Sequence, residues 1–145
     1  MSVFIDTGVF FAQHDTAASR HEAATVAMER VLTGRFGRAY TSDYVVDEAI
    51  TLTRQRTNSH EDAWAIGRRI LGRGGYPDRI DLKPITVELF EKTLETFETY
   101  SDHGLSFTDT STITTVEQND IDAVLSFDDD FDGLVERIDP ATVGE

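Results

Sequence analysis

Val3, Phe4 and Ile5 form an unbroken apolar run, two of the three β-branched, and it stops abruptly at Asp6-Thr7-Gly8. A run without polar alternation suits a strand buried on both faces, as in a parallel sheet. The strand therefore ends on a carboxylate. In open α/β sheets the ligand crevice lies outside the carboxyl ends of the strands, which makes Asp6 a site candidate by position alone. Taken by itself it equally suits a cap of the following turn.

The rest of the chain alternates helical and extended segments. Val9 to His14 suits a short helix, and good helix formers from about Ala18 to Leu32 give a second, ending at Gly34. Ala39 to Thr41 is a brief strand. Thr41 or Ser42 then caps a helix from Asp43 to about Arg56, with Val46, Ala49, Ile50 and Thr53 as one stripe. Ser59 and Asp62 resemble a capping box opening a further helix, which Gly72, Gly74 and Gly75 close. Ile80 to Ile85 alternates as a strand. Thr86 caps a helix whose Val87, Phe90, Leu94 and Phe97 share one face, expected to be core. A helix from about Phe107 to Gln118, a strand at Ala123 to Leu125 and a weak last strand at Ile138 complete the chain. Strands alternating with helices predict an α/β fold with a central, mostly parallel sheet covered on both faces, in a single domain over 1–145.

Composition narrows the chemistry. With no cysteine, disulfides, thiolate zinc sites and cysteine nucleophiles are removed together. His14, His21, His60 and His103 lack ligand spacing, so any metal would be held by oxygen. The net charge of −14 comes from 27 Asp and Glu spread along the whole chain against 13 Lys and Arg, of which only Lys83 and Lys92 are lysine. Dispersed acids with depleted lysine fit a surface adapted to high salt, where the Debye length is about 3 Å at 1 M and self-repulsion is screened. There is no basic leader and no apolar run able to span a bilayer, so a soluble, cytoplasmic protein is expected.

Position selects a few acids from the many. Asp6 and Asp128 each follow a buried strand, which puts both at one edge of a parallel sheet. Glu48 shares a helical face with Tyr44, Val45 and Leu52, and Asp109 shares one with Ile113 and Val116. Other readings exist for each: Glu48 as a solvated helix acid, Asp109 as the partner of Ser106 in a capping box, and Asp128, Asp129 and Asp130 as an acidic turn. As a set of four, however, they would crowd like charges into partly buried positions, each raising the others' pKa unless a cation compensates. Mg²⁺ or Mn²⁺ suits an all-oxygen donor set.

Four stretches carry a family resemblance: Phe4-Ile5-Asp6-Thr7-Gly8, Val46-Asp47-Glu48-Ala49, Ser106-Phe107-Thr108-Asp109 and Leu125-Ser126-Phe127-Asp128-Asp129-Asp130-Phe131. Together they resemble PIN-domain nucleases, in particular the VapC-type toxins of toxin-antitoxin pairs, over nearly the whole chain. The resemblance implies a three-layer α/β/α fold and a Mg²⁺- or Mn²⁺-dependent ribonuclease. It also implies Asp6, Glu48, Asp109 and Asp128 as catalytic metal-binding acids, with Asp130 assisting or replacing Asp128, and Thr7 and Ser126 as supporting polar residues. It further implies an antitoxin partner and a homodimer. A PIN domain in RNA processing or quality control, or a non-catalytic module that binds RNA or protein, would carry a similar pattern.

Substrate contact needs positive charge. Between Arg54 and Arg79 six arginines (Arg54, Arg56, Arg68, Arg69, Arg73 and Arg79) face only three acids, a local excess of positive charge in an acidic chain. Arginine grips phosphates bidentately and stacks on unpaired bases, so a path for single-stranded RNA is one reading. Salt bridges to surrounding acids are the other. A receiver domain, also a small parallel α/β fold, would need a lysine after a late strand, and Lys83 and Lys92 stand too early.

Overall fold

A computed structural model describes residues Met1–Gly144. The order of elements is β1 (Ser2–Ile5), α1 (Thr7–His14), α2 (His21–Leu32), β2 (Arg38–Ser42), α3 (Asp43–Thr57), α4 (His60–Leu71), β3 (Ile80–Lys83), α5 (Val87–Thr99), α6 (Phe107–Gln118), β4 (Ala123–Leu125) and β5 (Arg137–Ile138), with 3-10 turns at Asp129–Phe131 and Pro140–Thr142. The five strands form one sheet in the order β3-β2-β1-β4-β5, and every pairing is parallel. Helices cover both faces, giving the three-layer α/β/α arrangement expected. Because a parallel sheet buries both faces, its central strand is apolar throughout: Val3, Phe4 and Ile5 have no exposed surface.

The helix starts follow their capping residues. Ser42, Thr86 and Ser106 accept bonds from the backbone N–H groups of Val45, Leu89 and Asp109. Ser59 accepts from the Asp62 N–H, and Gly72 ends α4 in the left-handed conformation with φ 68°. Helix α1 begins at Thr7, directly after the strand, and α2 begins at His21 because the chain turns between them. Strand β3 stops at Lys83, before Pro84, which has no N–H to continue a ladder. The buried line of α3 is Val45, Ala49 and Thr53; Val46 and Ile50, expected in that stripe, are half-buried on its flank. There α4 approaches closely, since a Cβ on Gly67 would lie 2.8 Å from Ile50 Cδ1.

One expectation is overturned. The face of α5 carrying Val87, Phe90, Leu94 and Phe97 is not core: these residues are exposed, Val87 by 79%, and only Thr93 of that helix is buried. Helix α5 lies against α6, where Phe90 and Phe97 meet the Phe107 ring edge-on at 5.9 and 5.5 Å. An amphipathic period identifies a face that packs on something, and here the chain covers that face only in part, leaving Phe90, Leu94 and Phe97 exposed by 38%, 42% and 44%.

Helix α6 shows the opposite: it is buried from Thr110 to Val116 although most of that stretch is Ser and Thr. Its hydroxyls satisfy themselves. Thr110, Thr114 and Thr115 donate to the carbonyls of Ser106, Thr110 and Ser111, each four residues back, so burial leaves none of these protons unpaired. This local satisfaction predicts that Thr114→Val keeps stability within about 1 kcal/mol, because the Thr110 carbonyl retains its helical partner. Thr114→Ala, which opens space in a packed helix, should cost roughly 1–2 kcal/mol. Urea unfolding of the two variants checks this, and equal losses would contradict it.

Candidate functional site

Strand β1 sits where the sheet order reverses, with β2 on one side and β4 on the other. The carboxyl ends of β1 and β4 are adjacent, with Ile5 opposite Leu125, and a crevice opens beyond such a switch point. Asp6 and Ser126 are the next residues on the two strands. The Asp6 N–H donates to the Leu125 carbonyl at 3.1 Å. Ser126, wholly buried, donates its hydroxyl proton to Asp6 Oδ2 at 2.7 Å and accepts from the Asp128 N–H at 3.0 Å. The hydroxyl has a single proton, and a backbone donor occupies its acceptor side, so its direction toward Asp6 is fixed. Asp128 in turn accepts the Asp130 N–H at 2.9 Å.

Two helices bring the remaining acids. Ser42 starts α3 and so sets Glu48 on its second turn. Ser106 and Asp109 form a full capping box: the Asp109 N–H donates to Ser106 Oγ at 3.0 Å, and the Ser106 N–H donates to Asp109 Oδ2 at 3.3 Å. Asp6, Glu48, Asp109 and Asp128 line a single open cleft of about 300 Å³, with Thr7 beside them. Capping and cleft lining are therefore both true of Asp109. Asp6 makes no such side-chain N-cap bond to α1, and its carboxylate takes only the Thr7 N–H of that helix.

The electrostatics of the cleft are unfavourable without a cation. Burial pushes the Asp6 carboxyl up to about 7; the Ser126 hydroxyl and the Thr7 N–H oppose this, and the charges of Asp109 and Glu48 add to it. Asp109 is raised as well, first by burial, against its two bonds with Ser106, then by Asp128 and Glu48. Among the described residues no Lys, Arg or His pairs with any of the four; the ion pairs that form involve Arg137, Lys92, His14 and His103 elsewhere. An all-oxygen donor set with surplus negative charge fits Mg²⁺ or Mn²⁺. The tightest trio is Asp128, Asp129 and Asp130, whose oxygens come within 4.8 Å of one another. Asp129 and Asp130 are exposed and do not line the cleft, so the strand end brings Asp128, and not Asp130, beside Asp6.

The supporting residues differ from each other. Ser126 is fully engaged, whereas Thr7 Oγ1 is buried on the cleft without a partner. None of the six arginines from Arg54 to Arg79 lines the cleft, and none forms an ion pair among the described residues. Arg54 donates to Asn58 Oδ1, Arg56 lies 5.0 Å from the Phe11 ring centroid, and Arg69 lies 5.1 Å from that of Tyr76. The cation that does line the cleft is Arg20, with its guanidinium 4.9 Å from the centroid of Phe127. It stands alone in the turn before α2, and no local pattern in the sequence marks it.

The chain matches the family described as PIN domain over residues 3–136. In fold it is similar to VapC20 of Mycobacterium tuberculosis, a Sarcin-Ricin loop cleaving toxin, with TM-score 0.74 and 23% identity over 89% of this chain and 92% of that one. It is also similar to FitAcB from Neisseria gonorrhoeae (TM-score 0.65, 15% identity, 97% and 99% covered). A third likeness is to VapBC2 from Rickettsia felis bound to a DNA fragment from their promoter (TM-score 0.69, 10% identity, 95% and 98% covered). No curated protein matches by sequence.

The raised pKa of Asp6 sets a pH dependence. Between its ordinary value of 3.8 and about 7, the folded protein holds a proton that the unfolded chain has released. Stability of the metal-free protein should therefore fall as pH rises through that window and level off above it. Asp6→Asn, permanently neutral and still able to accept from Ser126, should melt higher than wild type at pH 7.5 in EDTA and equally at pH 4. Parallel Tm profiles for the two proteins would refute this.

Proposed function

The chain belongs to the PIN-domain family, and on that footing we propose that it is a divalent-metal-dependent endoribonuclease, the toxin of a toxin-antitoxin pair. The observation that carries the reading is the convergence of Asp6, Glu48, Asp109 and Asp128, from four separate parts of the chain, on one cleft where none of them forms an ion pair among the described residues. Asp6, Asp109 and Asp128 would hold Mg²⁺ or Mn²⁺, with Glu48 orienting water. When bound, such an ion supplies an acidified water and offsets the charge that builds on the phosphate and its leaving oxygen.

The protein's own groups have separate tasks. Ser126 holds the Asp6 carboxylate in one orientation, and because Asp128 donates to the same hydroxyl, the two strand-end acids are positioned as a unit. The capping box occupies Asp109 Oδ2 and leaves its other oxygen for the cleft. Glu48, on the second turn of α3, is the acid free to orient the attacking water and take its proton. The Thr7 hydroxyl, without a partner, is available to a phosphate oxygen.

RNA is favoured as substrate because the arginines from Arg54 to Arg79, without ion pairs among the described residues, give a local excess of positive charge in an acidic chain, and because VapC20, of similar fold, is described as cleaving the Sarcin-Ricin loop. A structure of similar fold is described as a toxin-antitoxin complex from Klebsiella pneumoniae, which supports an antitoxin partner here. A homodimer would have the exposed face of α5 to cover.

Incubating the purified protein with RNA in Mn²⁺ and mapping the ends tests the activity. Cleavage should disappear in EDTA and fall at least about a hundredfold in Asp6→Asn; undiminished cleavage by that variant would overturn the assignment. Arg68→Ala combined with Arg69→Ala should weaken RNA binding and flatten its salt dependence, by about 0.7 in log–log slope for each phosphate no longer neutralised. An unchanged slope would remove these arginines from the RNA path.

A further inference from the structure

A second pocket, of about 330 Å³, lies at the far end of α1 from the acidic cleft, between α1, α2 and the segment leading into β3. Its size is at the lower end of the roughly 300–1,000 Å³ typical of small-ligand sites, enough for one heteroaromatic group. Phe10, Met28, Leu32 and Ile80 give it an apolar floor. Gln13, His14, His21 and Thr25 supply polar groups around that floor.

Three features point to a ligand. First, Gln13 Oε1, His14 Nδ1 and Thr25 Oγ1 are all buried without a hydrogen-bond partner, an unusual concentration for one place. Second, His21 Nδ1 donates to the Ala12 carbonyl at 2.9 Å, which in the neutral ring leaves Nε2 an acceptor. Third, no carboxylate lines the pocket, although the chain has 27 acids. Its wall instead carries Arg69 over the Tyr76 ring, and Arg73 and Arg79 flank that tyrosine in sequence without ion pairs among the described residues.

We propose that this pocket takes one unpaired nucleobase of an RNA strand, read at its edge by Gln13, Thr25 and His14, while Arg69 and its neighbours hold the adjoining phosphates. A flat group with donors and acceptors on its rim satisfies the orphaned atoms, and an aliphatic anchor from a protein partner would leave them unpaired. Thr7 at one end of α1 lines the cleft and His14 at the other lines the pocket, so the two sites are about 10 Å apart along a helix rising 1.5 Å per residue. Residues Arg20 and His21 join them on the α2 side, one in each lining. The strand's identity as substrate rests on the ribonuclease reading; base binding itself does not.

The chain contains two methionines: Met28 lies in the pocket and Met1 is exposed. Methyl-labelled methionine NMR on the full chain therefore gives one reporter and one control. Titration in EDTA with each of the four nucleoside 5′-monophosphates should shift Met28 saturably, leave Met1 in place and favour one base. Thr25→Val and Gln13→Leu, with their unliganded Met28 signals checked for folding, should each weaken that nucleotide about tenfold. With Mn²⁺ they should still cleave RNA but lose base preference at one position near the cut. A silent Met28 at millimolar concentrations of every nucleotide, or shifts indifferent to both variants, would overturn the proposal. So would a Met28 response to an amphipathic peptide alone, which would assign the pocket to a protein partner. Cleavage with a silent Met28 sinks the pocket only, whereas a nucleotide-specific Met28 shift without any metal-dependent cleavage sinks the nuclease reading and keeps the pocket.

Discussion

A side-chain hydrogen bond from Ser126 to Asp6 adds to the backbone ladder between two neighbouring strands of the sheet at the point where each ends. It partly offsets the burial of the Asp6 carboxylate and fixes its direction. Everything in the cleft is referred to it: Asp128 donates to the same hydroxyl, and Glu48 and Asp109 contribute charge against the same carboxylate. The cleft is thus an extension of the sheet's own ladder. Asp6 belongs to the fully packed centre of the fold, and the arrangement is destabilised by its own charge unless a cation offsets it.

How much of this the sequence disclosed depends on whether the information was local. The first strand is legible because burial on both faces demands an apolar run, and the acid that ends it inherits its place from the topology. Caps are legible for the same reason: Ser42, Thr86 and Ser106 each act within three residues of themselves. What could not be read depended on neighbours far along the chain. The pattern of α5 marks an apolar face without saying that it is only part-covered, and the hydroxyl-rich α6 gives no amphipathic signal although it is buried from Thr110 to Val116. Arg20 reaches the cleft only because the turn before α2 folds back beside Phe127. In α3, the choice of Val45 over Val46 for the buried line follows from where the sheet lies, which the helical period alone does not fix.

Charge is distributed with similar economy. Despite 27 acids and 13 basic residues, few ion pairs form among the described residues, and most of the arginines are left to solvent or to aromatic rings. Surface pairs contribute little to stability in any case, so their scarcity costs the fold little. It does leave positive charge available on a molecule whose net charge repels polyanions. The segment from Arg54 to Arg79 packs as the α3–α4 hairpin and its following loop, so this charge is carried by a rigid support.

Helix α5 has the reverse character. With Thr93 as its one fully buried residue, it buries less apolar surface than the helices that pack on the sheet, which puts it toward the low-stability end of the molecule. Its attachment is the Phe107 ring, which Phe90 and Phe97 grip from one side and Tyr44 approaches at 6.4 Å from α3. Phe107 begins the helix whose third residue is Asp109. Fraying of α5 therefore loosens the first turn of α6, and any body that clamps α5 tightens the same turn, so the sharpness with which one cleft carboxylate is held is set by events on a surface helix outside the cleft.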